Sequence, residues 1–214
     1  MKNLFLLLCS TVSAFVFGYE SNEAPAIKED AVSIVYVGGY GGYGSLNGMY
    51  RQFGKTAMYR FSFGVDAYRS SKHALSFEGG IQSGNMAPVK GTEEVIYESG
   101  GMIPQIVLKP FIDLLAVYRY TFMDDYLLIA KLGAAYRQLQ FVDRTTIKGS
   151  LNRLNFEFQI GLGYKLTKHA RIVGLYQGIY SESNGNLRLT SNADVYMRHI
   201  PTQQAGLFGI EYSF

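Results

Sequence analysis

Apolar and polar residues alternate strictly through several long stretches of this chain. In LNFEFQIGLGYKL (154–166), every even position is apolar and every odd position is polar or glycine. Successive side chains of a β-strand point to opposite faces, so this period indicates a strand with one apolar and one polar face. YRFSFGVDA (59–67) and LSFEGGIQ (75–82) repeat it. Past the N-terminal segment, no apolar run approaches the length of a membrane-spanning helix.

Eight strand candidates follow one another, and the connections between them alternate in length. The candidates are 31–43, 56–69, 73–84, 108–122, 125–140, 151–166, 170–182 and 202–214. The short turns are 70–72, 123–124 and 167–169, and the long connections are 44–55, 85–107, 141–150 and 183–201. Strands that are long enough to cross a bilayer, with short turns on one side and long loops on the other, are typical of a transmembrane barrel. We predict an all-β, eight-stranded antiparallel transmembrane β-barrel with up-and-down meander topology.

The N-terminus has the layout of a secretory signal peptide. Lys2 precedes an apolar run from Leu4 to Phe17, and this run is short for a bilayer span. We expect a signal peptide over 1–18, cleaved after Gly18, a short periplasmic segment over 19–30 and the barrel over 31–214. An uncleaved membrane anchor is the alternative. The single cysteine, Cys9, lies in the signal, so the mature chain has no disulfide.

One face of the predicted strands is rich in charged residues, and the barrel must enclose one of its two faces. The secretion signal, the long strands and the many glycines on the polar face favour a polar interior and an apolar exterior against lipid. Tyrosines near the strand ends fit the aromatic girdles of such barrels. Because an isolated buried charge is costly, we predict that the interior charges pair with one another. The predicted ion-pair network is Arg60, Asp66, Glu78, Asp113, Arg119, Lys131, Arg137, Glu157, Lys165 and Glu211.

These interior charges permit two interpretations. Either they form a packed network that braces the wall, or they line a narrow, gated path for ions. Eight strands leave an interior barely wide enough for side chains, which favours the packed network. The faces of the first and seventh strands are less regular, and we do not assign them.

The order of these features resembles the small outer-membrane barrels of Gram-negative bacteria: the OmpA transmembrane domain, OmpX, OmpW and the opacity-type proteins. The resemblance covers the mature chain as architecture. Its one sequence-like element is the C-terminal strand, where Gly209, Tyr212 and Phe214 match the family's assembly signal and Leu207 stands where a polar residue is usual. The resemblance implies that the barrel-assembly machinery reads this strand. It also implies an outer-membrane location, in contact with membrane lipid and lipopolysaccharide.

No catalytic or cofactor site is predicted. Ser191-Asn192 matches part of the motif of barrel-type lipid A deacylases, but Leu189 stands where the activating histidine is needed. The three histidines, His73, His169 and His199, are far apart in sequence and have no acidic partners nearby, so no metal is predicted. GGYGGYG (38–44) lacks the Lys-Ser/Thr of a phosphate loop. A net charge of only +3, with scattered basic residues, argues against nucleic acid.

The long loops are where recognition of other molecules is expected. The connection 85–107 is unusually apolar, and Leu187-Arg188-Leu189-Thr190 alternates like a strand. We therefore expect a non-enzymatic surface protein that acts in envelope integrity, adhesion or host interaction through these loops. A narrow porin-like channel for ions or small solutes is the alternative, and a lipid-modifying enzyme is a distant one.

Overall fold

The chain folds into a closed barrel of eight antiparallel strands. The computed structural model describes residues 35–47, 55–88, 105–143, 146–181, 188–189, 195–196 and 199–214. The wall strands are β1 (Val35–Leu46), β2 (Lys55–Arg69), β3 (His73–Gln82), β6 (Phe111–Phe122), β7 (Tyr126–Asp143), β8 (Thr146–Lys165), β9 (Ala170–Tyr180) and β12 (Gln203–Ser213). Four short strands lie in the long connections: β4 (Asn85–Pro88), β5 (Gln105–Leu108), β10 (Arg188–Leu189) and β11 (Val195–Tyr196).

Each wall strand pairs with the next along the chain, and the last pairs with the first. The closing ladder runs from Tyr36↔Ser213 to Leu46↔Gln203, so the wall leaves no open sheet edge. This confirms the predicted fold class. The predicted signal peptide, the periplasmic segment and barrel residues 31–34 lie outside the described residues. Those boundaries stay predictions.

Burial is inverted relative to a water-soluble protein. Outward side chains such as Phe61, Leu114 and Phe208 are 67%, 68% and 63% exposed, whereas the inward Arg60 and Lys131 are fully buried. An apolar surface of this extent has no stable contact with water and is the outer face of a barrel that lipid surrounds. Among the described residues, no helix is long and apolar enough to cross a membrane.

The two ends of the barrel differ in the length of their connections. At one end, β2–β3, β6–β7 and β8–β9 are joined by short turns, as predicted, and we call it the short-turn end. Met123 and Asp124 adopt left-handed backbone conformations there, with φ of 50° and 54°. Aromatic rings cluster on the outside of this end: Phe122, Tyr126 and Tyr164 form one series of contacts, and Tyr212 contacts Phe214. In barrels of this kind the short turns face the periplasm, and such rings mark the lipid headgroup level.

At the opposite, long-loop end the wall continues beyond the barrel. The predicted connection over 141–150 is too long, because the flanking strands extend past their predicted ends and β7 and β8 stay paired up to Asp143↔Thr146. On its other side β7 pairs with β5, which pairs with β4, so a four-stranded extension rises above the wall. With 18 and 20 residues, β7 and β8 exceed the ~9–11 that cross a bilayer, so the hairpin end of these strands is not subject to the alternation that lipid and lumen impose. The strand-like 188–189 do form a strand, β10, which pairs with β11.

Candidate functional site: the charged interior of the barrel

The interior is built from alternate residues of the wall strands. Charged side chains on β2, β3, β6, β7, β9 and β12 meet there because the strand period of two directs them to the same side. The ladder sets their relative heights, for example Arg60↔Gln82 and Glu78↔Leu115. The site therefore depends on the register between neighbouring strands.

Arg60 is the first centre of an ion-pair network. Its Nε and Nη2 atoms donate to the two carboxylate oxygens of Asp113, at 3.0 and 2.5 Å. Its Nη1 donates to Glu78 Oε1 at 2.8 Å. All three side chains are fully buried. The Arg60 guanidinium thus binds Asp113 through two of its nitrogens and Glu78 through the third. These three bonds fix the plane of the group.

Lys131 is the second centre, and it connects opposite sides of the wall. Its Nζ lies 2.8 Å from Glu78 Oε2 and 3.4 Å from Glu211 Oε1, and it donates to the Tyr40 hydroxyl at 3.2 Å. Glu211 also accepts from the Tyr40 hydroxyl, and its other oxygen accepts from Arg171 Nε at 2.5 Å. Over the two centres, three cations thus balance three carboxylates. The cations are Arg60, Lys131 and Arg171, and the carboxylates are Glu78, Asp113 and Glu211.

Two tyrosines of β1 complete this network. The Tyr36 hydroxyl donates to Glu78 at 3.0 Å, and its ring lies between the guanidinium groups of Arg119 and Arg171, at 4.3 and 5.2 Å. A Cβ on Gly64 would collide with the Tyr36 ring, so this ring needs a glycine beneath it. The central network, defined as Tyr36, Tyr40, Arg60, Glu78, Asp113, Lys131, Arg171 and Glu211, draws on seven of the eight wall strands.

A smaller ion-pair group lies toward the short-turn end. Asp66 accepts from Ser76 Oγ at 2.7 Å and from Arg119 Nη2 at 3.1 Å. Arg69, at the end of β2, also donates to Asp66 at 2.6 Å and is partly exposed. One carboxylate therefore serves two guanidinium groups, and this end of the interior carries excess positive charge.

Toward the long-loop end the interior charges are held by neutral groups. Glu157 accepts from the amides of Gln159 and Gln177, at 2.7 and 2.6 Å. Arg137 donates to Asn155 Oδ1 and to the Pro201 carbonyl, each at 3.0 Å. In the described part of the chain, neither charge has an oppositely charged group within salt-bridge distance. We call Glu157 and Arg137, with these hydrogen-bond partners, the upper polar layer of the interior.

An apolar cluster covers that layer at the long-loop end. It comprises Leu46, Ile106, Leu108, Phe111, Ala135, Leu139, Ile179 and Ile200, all buried. Ile200 belongs to the segment before β12, and Arg137 holds the neighbouring Pro201 through its carbonyl. We call this cluster the apolar cap. Together, the central network and the apolar cap fill the lumen at two heights.

The structure places most of the predicted network in the interior but changes its membership. Lys165 does not join it: its side chain is partly exposed at the short-turn end and donates to the Asp124 carbonyl at 2.8 Å. It is the last residue of β8, where the strand leaves the interior. Arg137 and Glu157 are fully buried, as predicted, but neither has an ion-pair partner among the residues that the structure describes.

Arg171, Tyr36 and Tyr40 are the interior residues that the sequence pattern missed. Both inward and outward faces of β9 carry apolar residues, since Val173 and Leu175 point inward and are buried. The alternation that identifies a lumen face is therefore absent from this strand. Arg171 lies two and four residues before Val173 and Leu175, so it shares their inward face. This spacing is the sequence signal that could have identified it.

The C-terminal strand has the predicted facing. Gly209 points inward against the Tyr40 ring, and Tyr212 and Phe214 point outward. Recognition of this strand by an assembly machinery stays a prediction. His73 and His169 lie at the short-turn end against tyrosine rings, and no group of three potential metal ligands occurs among the described residues. Ser191 and Asn192 lie outside the described residues.

No protein-family model matches the sequence, and no curated protein matches it. Two crystal structures of Ail, the attachment invasion locus protein of Yersinia pestis, do match. They cover 85% of this chain and 98% and 99% of their own, at TM-score 0.52 and 12% and 13% identity; one is a complex with the heparin analogue sucrose octasulfate. Neisserial surface protein A (NspA) matches with TM-score 0.46 at 9% identity, over 85% of this chain and 96% of its own. The outer membrane enzyme PagL matches with TM-score 0.37 at 16% identity, over 82% and 97%. Of these three proteins, Ail has a TM-score above 0.5, and its likeness supports the fold alone.

Proposed function

We propose that this outer-membrane β-barrel is a non-enzymatic, non-conducting surface protein that presents a protruding sheet to partners outside the cell. The observation that carries the proposal is the four-stranded extension above a filled lumen. β7 and β8 have 18 and 20 residues, against the ~9–11 that cross a bilayer. The excess length of both strands lies at the long-loop end, where short strands β4 and β5 widen the sheet.

The extension offers a strand edge. β8 begins to pair with β9 only at Phe156↔Tyr180, so residues 146–155 pair with β7 on one side alone, as far as the described residues go. An unpaired edge binds an extended segment of another protein through main-chain hydrogen bonds. This is the kind of partner that we propose for the surface role. Contact with lipopolysaccharide and insertion by the barrel-assembly machinery belong to the same proposal.

The alternative, a narrow channel, has less support. Ions on a path through the lumen would have to pass the central network, whose side chains are buried and bonded to one another, and then the apolar cap. Breaking such pairs leaves uncompensated buried charges, which is costly.

Planar-bilayer recording distinguishes these functions. We expect no unit conductance steps from the purified barrel. Steady openings that disappear in Arg60→Met would instead support the channel and contradict our proposal. The recording uses the folded barrel, checked by its heat-modifiable gel mobility.

Binding is tested by shortening the β7–β8 hairpin. Replacing 141–149 by Asn-Gly joins the paired residues Gln140 and Ser150 through a turn that suits a hairpin. Bacteria that display this variant should lose adhesion to host-cell monolayers, with unchanged barrel folding. The control places the same dipeptide at the short-turn end, as Met123→Asn with Asp124→Gly, where both residues already have positive φ. Equal adhesion by the hairpin variant and the control would contradict the proposed role of the extension.

A further inference from the structure

The short-turn end of the barrel opens into a strongly basic cavity. The cavity has a volume of about 160 Å³, roughly that of five waters, and turns β2–β3 and β8–β9 form much of its rim. Among the described residues, no Asp or Glu lines it. Its Lys and Arg residues are Arg69, Lys72, Arg119, Lys165, Lys168 and Arg171.

Carboxylates behind the cavity neutralise only part of this charge. Asp66 serves both Arg69 and Arg119, and Glu211 is shared between Arg171 and Lys131. The lysines of the lining, Lys72, Lys165 and Lys168, have no carboxylate within 4.0 Å in the described part of the chain. A concave surface with one sign of charge concentrates ions of the opposite sign.

The inner wall also has unused hydrogen-bond donors. Arg119 and Arg171 are 3% and 8% exposed, and Nε of the first and Nη2 of the second donate to no protein acceptor among the described residues. Buried donors without partners are rare and costly, so their presence at a cavity points to an acceptor beyond the described residues, such as a bound anion. Near the rim, Thr167 Oγ1 accepts from the amides of His169 and Ala170, which leaves its hydroxyl proton free to donate.

We propose that this cavity binds a phosphate-bearing anion. Phosphate combines compact negative charge with several acceptor oxygens, which is what guanidinium and ammonium groups recognise. The lysines of the rim contact the anion from outside, and Arg119 Nε and Arg171 Nη2 donate to it from the inner wall. The outer rings at this end, such as Tyr126 and Tyr212, put the cavity at the headgroup level, so the phosphate comes from a phospholipid headgroup or from solution. This site is separate from the surface role proposed above.

The test uses the folded barrel and the double variant Lys72→Gln/Lys168→Gln. Both lysines are exposed, so the fold is expected to tolerate the change. The control, Lys55→Gln/Arg153→Gln, removes the same charge from exposed residues away from the cavity. Inorganic phosphate is titrated by ³¹P NMR in micelles of zwitterionic detergent, with chloride at equal ionic strength as the reference. Thermal unfolding is then compared in phosphatidylcholine vesicles with and without phosphatidylglycerol.

We expect phosphate binding that weakens at least tenfold in the double variant and stays unchanged in the control. A rise in unfolding temperature with phosphatidylglycerol that only the double variant loses identifies the headgroup as the source. Phosphate binding without any lipid effect identifies a soluble phosphate. The proposal is overturned if the wild type responds equally to phosphate and chloride and shows no phosphatidylglycerol effect. It is also overturned if the control loses as much as the double variant.

Discussion

Two charged regions lie one above the other in the barrel interior, and they satisfy their charges by different means. In the central network, three cations and three carboxylates are paired across the lumen, with hydroxyls of β1 filling the remaining positions. In the upper polar layer, Glu157 and Arg137 are just as deeply buried, but the partners that the described residues supply are amides and a backbone carbonyl. Burial alone therefore does not tell whether a buried charge is bound to an opposite one.

The difference follows from what each region has to hold together. The central network lies where many strands contribute long side chains to one level, so one residue such as Lys131 can reach two others across the lumen. The upper layer lies beneath the apolar cap, where Arg137 ties the segment of Pro201 to the wall. We infer that the central network braces the wall, whereas the upper layer closes the top.

The largest effect is expected from Lys131→Met. The change keeps most of the aliphatic stem but leaves Glu78 and Glu211 without their shared cation in a site that excludes water. Breaking a buried ion pair in this way typically costs ~3–5 kcal/mol. The chain has no tryptophan, so unfolding by urea in detergent micelles is followed by tyrosine fluorescence or by gel mobility. Either measurement should show this loss of unfolding free energy. A loss below 1 kcal/mol would mean that the two carboxylates find other partners.

Gly80→Ala is expected to disturb the same network through its geometry. A Cβ there would lie 2.5 Å from Arg60 Nη2 and 2.7 Å from Asp113 Oδ1, so the guanidinium has to move off its carboxylate. Overpacking of this kind costs ~1–3 kcal/mol. The neighbouring Gly79→Ala is the matched control, because its Cβ meets only the Asp113 carbonyl, at 3.9 Å. Equal unfolding midpoints for the two variants would show that the network tolerates displacement.

Arg137→Met tests the role of the upper layer as a closure. The variant loses two hydrogen bonds to neutral acceptors and orphans no carboxylate, so we expect a cost of ~1–2 kcal/mol, below that of Lys131→Met. The segment 199–202 should also become easier to cleave by protease added to intact cells. If cleavage is unchanged and the free energy of unfolding falls by ~3–5 kcal/mol, Arg137 stabilises the wall as the central network does.

Glu157→Gln should have the smallest effect. Glutamine keeps the oxygen that accepts from Gln159 and Gln177, and no cation loses a partner. We expect a change within about 1 kcal/mol, of either sign. Glu78→Gln is the comparison, since it weakens contacts with both Arg60 and Lys131 and should cost several times more. Similar losses for the two variants would remove the distinction between the two layers.

The sequence predicted the fold and the inward face of most strands because lipid outside and charge inside impose the alternation directly. It was less informative at three places. The long-loop hairpin lies beyond the lipid and has no alternation, β9 carries apolar residues on both faces, and Lys165 lies where its strand leaves the interior. Each is a place where the surroundings of one face differ from those along the rest of the wall.

From the sequence alone we predicted the order of the wall strands, the short turns and the apolar exterior, and nine of the ten charges that we named lie in the interior. Those properties depend on each residue's position within its own strand, which a period of two records. Which charges are paired depends on the folded barrel, because partners such as Lys131 and Glu211 come from distant strands. The register of the ladders and the closure of β1 on β12 set those distances, and no single strand encodes them. The same closure brings the turns together around the basic cavity at the short-turn end.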